Sequence, residues 1–172
     1  MRRYVRPLVV LVFLLTMFGF APAAMAAKPT RTVIQTPDPF VMPAGLGCAF
    51  DVLSTPIGWQ AVSEFDDGRT LTIGHADITM TNLDTGATYL QMSTYREVAI
   101  YDPGTNDILL EISGRIFWNL YPGDQGPSGV IGEPGAVFGT VGNVTAVLDL
   151  DTGLFTSFSL EGTTTDICAE LQ

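Results

Sequence analysis

Between residues 108 and 121 the apolar side chains Ile108, Leu110, Ile112, Ile116, Trp118 and Leu120 share one phase, while Glu111, Ser113, Arg115 and Asn119 share the other. Alternation at period two marks a long β-strand with one dry and one wet face. Gly114 interrupts the apolar phase, and a glycine inside so long a strand predicts a bend. Similar runs, divided by turn residues, fall at 48–53, 59–65, 70–73, 75–83, 88–101, 136–150 and 154–160. The dividers are turn formers: Ser54-Thr55-Pro56, Asp66-Asp67-Gly68, Gly74, Asp84-Thr85-Gly86, Asp102-Pro103-Gly104 and Asp151-Thr152-Gly153. No window repeats apolar residues at helical spacing over more than a turn or two. The pattern predicts an all-β antiparallel meander closed into a small β-barrel of about eight strands, with a β-sandwich as the alternative.

The first residues change the picture of where this domain works. Arg2, Arg3 and Arg6 precede an apolar run over 8–20, and Ala24-Met25-Ala26 has the small-x-small form of a cleavage site after Ala26. That order predicts a secretory signal peptide over 1–26 and a secreted, extracellular product; the run is short for a retained membrane span. Residues 27–47, with Pro29, Pro37, Pro39 and Pro43 at close spacing, read as an extended leader, leaving 48–172 as a single β domain.

Charge then narrows the partners. Removal of Arg2, Arg3 and Arg6 takes the formal net charge from −10 to −13. So acidic a surface excludes nucleic acid and anionic lipid headgroups as partners. The two cysteines, Cys48 and Cys168, stand near the ends of the mature domain, and in an oxidising compartment their simplest state is one disulfide. Closing so long a loop stabilises by roughly 4 kcal/mol in the chain-entropy model.

Candidate chemistry is sparse. The two Asp-Thr-Gly motifs resemble the paired carboxylates of aspartic proteases, but both lie between alternating runs, where aspartate and glycine are what tight turns require. His75 is the only histidine, so any imidazole acid–base scheme must use it. Tyr95, Arg96 and Glu97 sit in the middle of a long strand, and together with His75 they are the candidates for catalysis. Arg96 shares its phase with Met92, Thr94 and Val98, the more apolar side of its strand; with Ile116 and Trp118 it is the candidate lining of a ligand-binding interior, against the default of a solvent-facing charge. The acidic turns around Asp66-Asp67 and Asp149-Leu150-Asp151 lack the twelfth-position glutamate of a calcium loop, and neither a metal nor a cofactor is expected. The loop over 122–135 reads equally as a lid over a barrel mouth or as a long irregular crossover.

Taken together, the signal peptide, Cys48-Ala49-Phe50-Asp51-Val52, Thr81-Asn82 before Thr85-Gly86, Gly114-Arg115, Pro122-Gly123-Asp124-Gln125-Gly126-Pro127 and Asp166-Ile167-Cys168-Ala169 resemble small secreted all-β proteins of actinobacteria. The resemblance implies a paired cysteine and a barrel-like domain, and it brings no catalytic residues. In architecture the pattern is also similar to lipocalin-like and allene-oxide-cyclase-like barrels, though fold does not transmit function. The expectation is a non-enzymatic module that binds a small apolar ligand or a surface partner. The alternatives are a cyclase- or isomerase-type barrel enzyme and a structural or interaction module of the cell envelope.

Overall fold

The structure, a computed structural model, describes residues 29–172; the signal sequence and the Ala26 cleavage site lie outside the described residues. Its elements are β1 (Thr30–Gln35), β2 (Phe40–Met42), β3 (Val52–Glu64), β4 (Arg69–Asn82), β5 (Thr88–Asp102), β6 (Asp107–Leu120), β7 (Gln125–Gly126), β8 (Gly129–Val130), β9 (Ala136–Asp149), β10 (Leu154–Asp166) and a single helical turn, α1 (Ile167–Glu170). β1 and β2 pair with successive parts of β3, and the sheet continues β3-β4-β5-β6-β9-β10, antiparallel throughout. The meander is therefore as expected, with the β7–β8 hairpin as its one excursion. Barrel closure is not made: no ladder joins β10 to β1 or β2, and the sheet keeps two edges.

Two strands are longer than the turn residues suggested. β3 runs through Pro56, and the missing N–H costs nothing there. Its outer neighbour changes at this point, β2 pairing as far as Ser54 and β1 beginning at Trp59. Thr36 fills the gap, its Oγ1 donating to the Pro56 carbonyl at 3.3 Å and accepting from the Gly58 N–H at 3.0 Å. A proline facing a break in the ladder removes no hydrogen bond. β4 runs through Gly74 because the Tyr95 ring lies where its side chain would be.

Gly74 belongs to a row. The registers place Gln60, Gly74, Tyr95, Gly114, Gly142 and Gly162 side by side across six strands. Along this row the sheet creases. Gly114 and Gly142 have φ of +118° and +140°, which a side chain rarely tolerates. A Cβ on Gly114 would collide with the Thr94 carbonyl, and one on Gly142 with the Glu161 carbonyl. Beyond the crease the sheet forks. β5 pairs with β6 only from Thr94 to Asp102, while its lower half keeps β4 alone; the lower half of β6 keeps β9 alone.

The fork makes the closed end a two-layer sandwich, and this is why no barrel forms. Below the crease β9 is buried on both faces from Val137 to Thr140. One face, with Val137 and neighbouring Phe117, packs against Val52, Ile78 and Met80 of the β3–β4 layer and against Ile167 and Leu171. The other face, Phe138 with Trp118 and Leu120, packs against Phe155, Phe158 and Leu160. Trp118 meets Phe158 edge-on at 5.1 Å and Phe155 at 5.7 Å, a geometry worth about 0.5–1.5 kcal/mol per pair beyond burial.

Sulfur ties the two edges of the sheet at this end. Cys48, just before β3, is bonded to Cys168 in α1, across a separation of 120 residues. Asp166 caps α1 by accepting the Ala169 N–H at 3.0 Å, and Asn82 Nδ2 donates to the Leu171 carbonyl at 2.9 Å, docking the helical turn on the end of β4. A disulfide of this kind persists in an oxidising, extracellular environment. No helix among the described residues is long and apolar enough to cross a membrane.

Candidate functional site: a cleft beside the glycine crease

The transfer of β3 from one outer partner to the next leaves a cleft of about 400 Å³, walled by Ile34, Thr36, Trp59, Gln60, His75 and Tyr95. Each wall has a local cause. The β1–β3 ladder ends at Gln35 and Trp59, and beyond it only the Thr36 hydroxyl bridges to β3, at Pro56 and Gly58, before the chain turns away at Pro37. Trp59 follows Gly58 on the outer face and keeps 40% of its surface exposed, unusual for so large an apolar ring. Tyr95 lies across the bare backbone of Gly74, and its hydroxyl donates to Gln60 Oε1 at 3.2 Å. His75 shares a hydrogen bond between Nδ1 and Thr94 Oγ1 at 3.0 Å.

Burial, followed by the nearby Glu97 carboxylate, raises the Tyr95 phenol above its ordinary value, so it stays a neutral donor. Burial also raises Glu97, which pairs across the strands with the buried Ile112 on the concave face. The cleft thus presents an aromatic and aliphatic lining with a few fixed polar groups, the composition of a small-molecule site.

Of the residues singled out from sequence, His75 and Tyr95 both border this cleft, but from opposite faces of the sheet: Tyr95 lies with Gln60 on the concave face and His75 with Trp59 on the convex one. Glu97 shares the concave face with Tyr95 but does not line the cleft. Arg96 is exposed on the opposite, convex face. It therefore does not join Ile116 and Trp118, which sit within the packed core; Trp118 Nε1 already donates to Thr140 Oγ1 at 3.1 Å. The interior around these two residues is filled rather than hollow. Trp59, Gln60 and Thr36 were not singled out, because a lone tryptophan in a strand reads as core. The only available signal was Gly58 beside Trp59 after a mid-strand proline.

The remaining motifs resolve as structural. Asp84-Thr85-Gly86 and Asp151-Thr152-Gly153 are hairpin turns at opposite ends of the sheet, with Gly86 and Gly153 at φ +76° and +73°. The 122–135 loop is pinned: buried Asp124 accepts the Tyr121 N–H at 2.7 Å and the Phe155 N–H at 2.8 Å. A further cavity of about 380 Å³ lies beside the disulfide, lined by Phe50, Ile131, Pro134, Val137 and Cys168 among others. No family model matches the chain, nor does any curated protein or solved structure.

Proposed function

We propose that this is an exported, non-catalytic binding module that takes a small apolar molecule, preferably one with a ring, in the Trp59 cleft. The exposed Trp59 indole at the edge of a preformed cavity carries the reading. Stacking on such a ring retains a flat ligand without requiring it to satisfy many polar groups. The sulfur-tied sheet supports the cleft as a rigid half-shell, so little ordering cost is left for binding.

The test is titration with a neutral fluorescent apolar amine, N-phenyl-1-naphthylamine. One saturable site is expected, lost in Trp59→Ala and retained in a variant altered at the opposite end of the sheet, such as Thr105→Ala. Equal binding by the Trp59→Ala protein would overturn the assignment. A second reading, docking on an envelope component, is favoured by the convex face, where Ile57 is 72% and Leu90 54% exposed. It expects Ile57→Asp to abolish co-sedimentation with cell envelopes while leaving the dye affinity unchanged.

A further inference from the structure

Basic side chains are scarce in this chain, and their placement is uneven. Among the described residues the cations are Arg31, Arg69, Arg96 and Arg115, together with His75. Arg69 is occupied by Asp67 at 2.8 Å, the one ion pair among the described residues. Arg96, Arg115 and His75 gather on the convex face at the fork. The registers pair Thr94 with Arg115 and Arg96 with Ser113, which sets the two arginines diagonally across β5 and β6, and His75 is paired with Thr94 on the other side. Asp77 and Glu111 stand on the same face but bridge neither arginine.

This is also where β5 and β6 part, and the parting opens a groove of about 570 Å³. Gly114 and Gly142 give it a bare backbone stretch; Arg115, Thr94 and Asn143 supply polar groups; Met92 and Val141, each nearly half exposed, supply apolar walls. No carboxylate lines it. The registers set Trp59, His75, Thr94 and Arg115 in one row across the convex face, so His75 stands between Trp59 and the groove.

We propose that the fork groove receives the carboxylate head of an amphiphilic acid whose apolar body runs past His75 into the Trp59 cleft. An unpaired guanidinium offers a planar two-pronged match to a carboxylate, and Thr94 and Asn143 stand beside it to share the remaining lone pairs. A single anionic charge is what the surroundings admit. The field of a chain with formal charge −10 repels polyanions, whereas one carboxylate set against local cations is attracted at short range. The inference rests on the Trp59 reading for the body of the ligand and on the fork alone for its head.

The experiment compares decanoate, below its micelle concentration, with decan-1-ol as competitors of the naphthylamine dye. Calorimetry of decanoate alone is run in parallel. Decanoate is expected to displace the dye at a concentration at least tenfold lower than the alcohol, and Arg115→Gln is expected to erase that preference without altering the alcohol. Arg115→Lys should restore it in part. Arg115 is exposed and unpaired, so these variants leave the core intact. If the alcohol competes as well as the acid in the native protein, or Arg115→Gln keeps the preference, the head site falls and the Trp59 reading survives. If neither the dye nor decanoate binds, both fall together.

Discussion

The glycine crease can be tested at one atom. Replacing Gly114 by alanine adds a Cβ that would lie 3.0 Å from Tyr95 Cα and closer still to the Thr94 carbonyl oxygen, on a residue whose φ is +118°. The backbone conformation alone costs about 1–3 kcal/mol for a residue with a Cβ. The collision is with backbone of the neighbouring strand, which cannot swing aside, so β5 and β6 must separate and weaken at least one ladder bond, another ~1 kcal/mol. The expected loss is about 2–4 kcal/mol in urea unfolding followed by circular dichroism, with an unchanged m-value. Gly132→Ala is the control. Its added Cβ meets nothing within 4 Å and its φ is not in the left-handed region, so the change should be neutral or stabilise by up to about 1 kcal/mol through the unfolded chain. A Gly114→Ala protein within 1 kcal/mol of the native one would refute the crease as a sterically enforced fold line.

Two further outcomes follow from buried carboxylates. Glu97, raised by burial, binds its proton more tightly folded than unfolded, so the stability it permits is complete below the unfolded carboxylate range and is lost as pH rises through its folded value. Glu97→Gln should therefore be more stable than the native protein at pH 7 and converge with it near pH 4; parallel urea midpoints at the two values would contradict this. Asp67 and Asp149, lowered by hydrogen bonds from nearby backbone N–H groups, work in the opposite direction but are common to both proteins and cancel. Asp124→Ala orphans the Tyr121 and Phe155 N–H groups and should cost roughly 3–6 kcal/mol, at about 1.5–3 per bond to a carboxylate acceptor. Limited proteolysis would show cleavage within 122–135, and a loop that stays resistant would mean that Asp124 is not its anchor.

Much of the fold was legible because period-two alternation survives any amount of sheet curvature. The phase of Ile108 through Leu120 is the packed phase of β6, and Gly114 does bend the strand. What could not be read was the row. Gly74, Gly114, Gly142 and Gly162 lie far apart along the chain, and only the register reveals that they align. Read singly, Gly74 looked like a strand end, as did Pro56, whose tolerance depends on where a neighbouring strand stops. Barrel closure failed for the same reason: even curvature was expected, whereas the bending is concentrated at one line and splits β5 from β6. At the site, His75 and Tyr95 stood out as polar residues within strands. Trp59 did not, because exposure of an aromatic ring is a tertiary property. Arg96 shares its phase with Met92 and Val98, which pointed to the drier side, yet the convex face of β5 carries Leu90 and Met92 in the open.

The bond between Cys48 and Cys168 also decides how the molecule bears mechanical load. All the long strands, β3 to β10, lie between the two cysteines, whereas β1 and β2 lie before them. Tension applied to the chain at its two ends passes directly from residue 48 to residue 168 through sulfur, bypassing the sheet. Among the described residues, the 19 of 29–47 and the four of 169–172 are those that can pay out, about 80 Å at 3.5 Å per residue. Under pulling, β1 and β2 peel from β3 and stretch first, taking Ile34 and Thr36 away from the Trp59 cleft while the crease and its fork stay whole. A protein anchored at one end and tugged at the other would thus open its ligand cleft before losing any of its core.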